Sequence, residues 1–257
     1  MSIPWQKHGV TGYTPDKACQ GYTLIAPFTS HYAWLIDMKG NYVHVWKLKS
    51  QPRNHAVLLP NGNLLYASAG PLPPPADRSF PQVGSWGKGG GLVELDWESN
   101  EVWTYKDKFQ SHSFYRMDNG NTIIPRITRV PDTLAVKLKG GTPGSEDRGI
   151  IWSDGLHEVT PRGQVVWEWN MVDHLDPDYH ILCPLEPRGD FTHMNSCEVI
   201  SNGRNCDSGT YLYMSKLHYF PSPILQVRRL YPSYLPVGNS YLLVVAMDRP
   251  KHKEDFR

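Results

Sequence analysis

One pattern recurs along this chain at intervals of roughly sixty residues, and a repeat of that length leaves few architectures open. Residues 34–46 read WLIDMKGNYVHVW, residues 93–103 VELDWESNEVW and residues 157–167 HEVTPRGQVVW. Each is a strand, a tight turn and a second strand. Apolar and polar residues alternate on both flanks, and the turn between them carries Gly, Asn, Ser or Pro. Alternation gives such a hairpin one face to bury, so each copy needs a neighbour to stack on. The closing tryptophans, Trp46, Trp103 and Trp167, stand 57 and 64 residues apart. They are expected to wedge between successive units.

A second hairpin alternates with the first. It reads NHAVLLPNGNLLYAS at residues 54–68, HSFYRMDNGNTIIPR at 112–126, NSCEVISNGRN at 195–205 and LYPSYLPVGNSYLLVV at 230–245. Its turn glycines, Gly62, Gly120, Gly203 and Gly238, are spaced 58, 83 and 35 residues apart, so one insertion and one deletion disturb the period. Two hairpins per repeat supply four strands, the makeup of a propeller blade. The expected fold is therefore an all-β propeller of four-stranded blades, with about four repeats in one domain spanning residues 1–257. The repeats are regular over residues 20–203 and diverge over 204–257. Nine Trp, fourteen Tyr, 22 Gly and 22 Pro suit short aromatic strands broken by turns, and no stretch keeps a helical apolar period beyond two turns. The Pro/Gly-rich stretches 70–91 and 139–149 read as loops.

Lys and Arg number 26 against 25 for Asp and Glu, which gives no field that would steer the chain to a polyanion such as nucleic acid. No apolar run reaches the roughly 18 residues of a membrane span, and the N-terminus lacks the apolar core of a signal peptide, so the expected compartment is the cytosol. Four cysteines (Cys19, Cys183, Cys197, Cys206) show no zinc-site spacing, and Cys197 and Cys206 would pair only in an exported protein.

Chemistry is sought where the repeat itself places polar groups together. Seven positions before the turn asparagines Asn61, Asn119 and Asn202 stand Asn54, His112 and Asn195. His193 lies two residues further back, on the same strand face. If this strand is the innermost of each blade, all four line the central channel. His55 is one position off and is expected to face its own blade. The run DFTHMNS at residues 190–196 is too densely polar for an ordinary core strand. A structural account is that His193 and Asn195 tie up backbone groups at a blade edge. With His112 in an equivalent place, a shared polar site is the better account.

The Trp-ended hairpins, the LPNGN turn and the His-x-Asn-Ser motif together resemble the arylsulfotransferase family over residues 20–203. The resemblance implies a six-bladed propeller that moves a sulfuryl group from an aryl sulfate to a phenol through a sulfated histidine, without a nucleotide donor or other cofactor. It implies that His193 and Asn195 are the pair that polarises the sulfate oxygens. It also implies that His112 is the histidine ahead of an earlier turn. Lys216, in YMSKLH, stands where the family carries an arginine, keeping the charge without the planar fork. Leu230 stands where the family's nucleophilic histidine would be.

Three functions follow as expectations. The first is sulfuryl transfer, with His112 and His193 as acid, base or nucleophile, and Asn195, Lys216 and Asn54 on the substrate. A second is a propeller that kept its fold and binds or scaffolds without turnover, which Leu230 and the irregular C-terminal part favour. A third is a metal ion shared by His112 and His193, for which no carboxylate or third histidine stands at a matched position.

Overall fold

The fold is taken from a computed structural model that describes residues 10–70, 79, 81, 90–200, 210–216 and 241–247, with 199–200, 210–216 and 241–247 described by their backbone. Asn202, Gly203, Cys206, His218, Leu230, Gly238 and His252 lie outside the described residues.

Strands dominate. The first sheet is β1 (Thr23–Ile25), β2 (Tyr32–Ile36) and β3 (Tyr42–Lys47). The second runs in chain order through β4 (Pro52–Leu58), β5 (Leu64–Ser68), β6 (Gly91–Leu95) and β7 (Glu101–Lys106). β8 (Tyr115–Arg116) and β9 (Thr122–Arg129) open the third sheet, followed by a short helix α1 (Asp132–Ala135) and β10 (Gly140–Thr142). β11 (Trp152–Val159) and β12 (Val165–Asn170) complete that sheet in the order β8-β9-β11-β12. β13 (Leu182–Pro187) pairs with β10 in parallel, and β14 (Ser196–Ile200), β15 (Thr210–Lys216) and β16 (Tyr241–Met247) form the last sheet. All pairings within the four larger sheets are antiparallel. An all-β fold is thus present.

The turns repeat down to single atoms. Asp37 and Asp96 each accept the backbone N–H of the residue four on, Asn41 and Asn100, and Thr160 does the same for Gln164. The glycines of the two Asn-Gly turns sit at positive φ, Gly62 at 87° and Gly120 at 84°, where only Gly escapes a steric penalty. The asparagine after each glycine reaches across its sheet to a glutamate: Asn63 to Glu94 at 2.8 Å, Asn121 to Glu158 at 2.5 Å.

Successive sheets are stacked, because the middle strands are buried on both faces. In β5, Leu64 and Tyr66 join the core shared with the first sheet, while Leu65 and Ala67 join the core shared with the third. In β9, Ile124 faces back to the second sheet and Ile123 forward to Met194 and Cys197 beside the fourth. Two of the three closing tryptophans join units as expected: the indole N–H of Trp46 donates to Asp96 O (3.1 Å), and that of Trp103 to Pro161 O (2.8 Å), each in the turn of the following sheet. Arg116 lies over the Trp103 ring at 4.8 Å and pairs with Glu94 across the same joint.

The stretch 139–149 departs from the loop expected. Gly140 and Gly141 take φ of 79° and 71°, and a Cβ on Gly140 would meet Leu182 O at 2.0 Å. Two glycines let this segment press against β13 and become a strand.

The joint is testable by urea unfolding. Trp103→Phe keeps the ring and removes the donor, and is expected to cost about 1 kcal/mol. Trp46→Ala, which empties a fully buried site, is expected to cost about 3–5 kcal/mol. Equal and negligible losses would show that the tryptophans do not hold the sheets together.

Candidate functional site

The site forms where β11 begins. β12 pairs with β11 only from Gly155 onward, which leaves the start of β11 open on that side. Residues 189–191 fill it: Trp152 N–H donates to Gly189 O at 3.1 Å, and Phe191 N–H to Trp152 O at 2.9 Å. Thr192, buried, bonds Ser153 Oγ through its hydroxyl and accepts the N–H of Asp154, both at 2.8 Å. Phe191 and Met194 are buried in the cores on either side, so apolar anchors alternate with the polar residues of DFTHMNS. Asp190, His193 and Asn195 are left half-buried.

His193 Nδ1 lies 2.7 Å from Asp190 Oδ2. A carboxylate can only accept, so Nδ1 carries the proton. The His193 ring meets His112 edge to face, centroids 4.8 Å apart at 68°. His112 sits at φ +50°, in a tight turn closed by Ser113 N–H donating to Ser111 O at 2.7 Å. A non-glycine residue there is strained by roughly 1–3 kcal/mol, a kind of strain that gathers at functional sites. Its Nδ1 shares a 2.7 Å hydrogen bond with the Ser111 hydroxyl. Ser113 in turn bonds the thiol of Cys197, whose ionisation burial opposes. Two polar segments, 110–113 and 190–195, are thereby stitched together.

The residues marked in sequence divide as follows. His112 and His193 are in contact. Asn195 stands two residues after His193, and its side-chain Nδ2 is buried with no hydrogen-bond partner among the described residues. Lys216 ends β15, where Ser215 pairs with Ser196, so the register places Lys216 next to Asn195. Asn54 is exposed on β4 and is not part of the contacts around the histidine pair. Its strand has an irregular register between Pro52 and Ala56, which upsets the alternation that would have aimed Asn54 with the others. His55 does not face its own sheet alone: its ring meets Phe114, two residues past His112, and burial lowers its proton affinity against the pull of Glu198.

Asp190, Asp154, Ser111 and Thr192 were given no role from sequence. Asp154 is 3% exposed, on the central strand of its sheet. Burial first, and then the charge of Asp190, push its carboxyl up to about 6; Thr192, His193 and the Met194 N–H oppose the rise. Its Oδ2 is buried without a partner among the described residues. A lone carboxylate in the otherwise neutral run IIWSDGL was the available signal.

Among the described residues, no group of three or more His, Cys, Asp and Glu side chains is placed to share a metal ion, and no helix is long and apolar enough to cross a membrane. A depression of about 790 Å³ opens beside Arg129, Asp132, Glu146 and Arg188, away from the histidines. Its charges are already paired, Arg129 with Asp132 and Arg188 with Glu146.

No protein-family model matches the chain, and no curated protein matches it. Among solved structures, a protein of unknown function from Bacteroides caccae is similar over 58% of this chain and 46% of its own, at 20% identity and a TM-score of 0.35. The chain spans less than half the length of that protein, and a likeness this slight carries no argument.

Because the folded carboxyl of Asp154 holds its proton up to about pH 6, against 3.8 ordinarily, its ionisation opposes folding as pH rises through that window. Asp154→Asn removes the effect. At pH 8 the variant is expected to be more stable than the parent by about 3 kcal/mol, with the advantage fading toward pH 4. Denaturation across that range checks the sign; a gap that widens on acidification would refute the assignment.

Proposed function

We propose that this chain transfers a sulfuryl group from an aryl sulfate to a phenol, on blades of a propeller like that of the arylsulfotransferases. The observation that carries the reading is the contact between His112 and His193 beside the unpaired amide of Asn195. The propeller itself is supported by sheets of consecutive antiparallel strands, each stacked on the next, with the site residues leading into first strands.

The chemistry needs few groups. An aryl sulfate resists attack until donors draw charge from its oxygens, and a preorganised buried donor does this best. Asn195 Nδ2 is such a donor, and Lys216 is its neighbour in the strand register. One imidazole attacks sulfur: an N–S bond forms, the S–O bond to the aryl group breaks, and the aryl oxide leaves with the electron pair and takes a proton from the second imidazole. An acceptor phenol then returns a proton to that second ring as its oxygen attacks sulfur. The N–S bond breaks and its electron pair goes back to the first ring. The resting state is restored without a nucleotide.

The test is release of nitrophenolate from 4-nitrophenyl sulfate, with and without a phenol acceptor. Acceptor-dependent release is expected, abolished in His193→Ala and reduced about a hundredfold in Asn195→Ala. No release from a folded sample would defeat the transfer reading and leave a binding or scaffolding module in its place.

A further inference from the structure

We infer that the two histidines have unlike jobs: Asp190 fixes His193 as the nucleophile, attacking through Nε2, and His112, held by Ser111, carries the proton. The assignment takes its electrophile from the transfer reading above, but its residues from geometry alone. It also differs from what the family resemblance implies, in which His193 polarises sulfate and another histidine attacks.

The difference lies in what each Nδ1 touches. Opposite His193 Nδ1, at 2.7 Å, is a carboxylate oxygen of Asp190. With the proton held on Nδ1, the neutral ring keeps its lone pair on Nε2, and does so persistently. A nucleophile needs that constancy. When Nε2 bonds to sulfur the ring becomes a cation, and Asp190 is already in place to stabilise it. Opposite His112 Nδ1, also at 2.7 Å, is the Ser111 hydroxyl, which rotates to donate or to accept. That partner carries no charge and fixes no tautomer, so His112 can gain and lose a proton without breaking its anchor, as a proton carrier must.

The support behind His193 is equally unequal. Thr192 and the Met194 N–H both bond the Asp154 carboxyl, so the residues on either side of His193 are tied to the central strand of the third sheet. Asp190 N–H donates to Pro187 O, while Gly189 and Phe191 pair with Trp152. Asp190 and His193 are three residues apart on one clamped segment, and their alignment does not depend on substrate. Asp190 is therefore a positioning residue, acting through His193.

Two readouts test this on the full chain without an aryl sulfate. In protein labelled with nitrogen-15 at histidine, the neutral His193 ring is expected to show a protonated Nδ1 and an unprotonated Nε2. Asp190→Asn is expected to lose that bias and Ser111→Ala to keep it. Diethyl pyrocarbonate, which is attacked by an imidazole lone pair, is expected to label His193 before His112, as read by mass spectrometry. Asp190→Asn should slow labelling of His193 by at least about tenfold; Asp190→Glu should restore most of the rate. A wild-type His193 protonated at Nε2, or faster labelling of His112, would overturn the assignment, and the wild-type spectrum decides this even if a variant misfolds. If these signatures hold but 4-nitrophenyl sulfate is not consumed, the substrate reading fails and the nucleophile stands. If the ester is consumed and Asp190→Asn changes neither tautomer nor labelling, only the nucleophile assignment fails.

Discussion

The indole N–H of a closing tryptophan, bonded to a carbonyl in the next sheet's turn, is the contact on which the rest of this structure depends. A strand such as β5, buried on both faces, is not stable in a lone sheet, so its sheet must be covered twice. Apolar contact alone would allow the layers to slide. A directional bond from Trp46 to Asp96 and from Trp103 to Pro161 fixes each sheet against the next at nearly the same point of the repeat. The residue before β8 that touches one before β14, His112 against His193, does so across the next joint, between the third sheet and the last.

Much of this was legible because repeats amplify weak signals. A single Asn-Gly pair or a single tryptophan predicts little, yet the same residues returning at matched offsets predict strand, turn and joint together. The pairing of His112 with His193 was reachable in that way. Asn54 was not, because counting back from a turn keeps its meaning only while the strand stays regular, and β4 breaks register between Pro52 and Ala56. His112 escapes the same objection by another route. Its strand has shrunk to Tyr115–Arg116, and a turn at positive φ, not strand alternation, brings its ring to His193.

The carboxylates were invisible for a different reason. Asp190 and Asp154 acquire their character from segments 36 residues apart that meet only because β12 stops short and residues 189–191 take its place on β11. Nothing in the local sequence marks where a neighbouring strand will end. What local sequence does show is inconsistency: an acidic residue in an apolar central strand, and a polar run where an apolar one is due. Such conflicts are the points at which tertiary context has to be invoked.

Those conflicts also gather in one place. His112 in a strained turn, Asp154 buried with one oxygen unsatisfied, and the orphaned Nδ2 of Asn195 lie on three adjoining segments, while the surrounding turns satisfy their polar groups in the same way from copy to copy. Each costs free energy of the order of 1–3 kcal/mol and improves no packing. A joint between sheets needs none of them, as the tryptophan contacts demonstrate. Costs of this kind gather at functional sites rather than at joints. The regular repeats supply the rigidity that makes such a concentration of cost tolerable, and so the regularity of the sheets and the irregularity of the site are parts of one design.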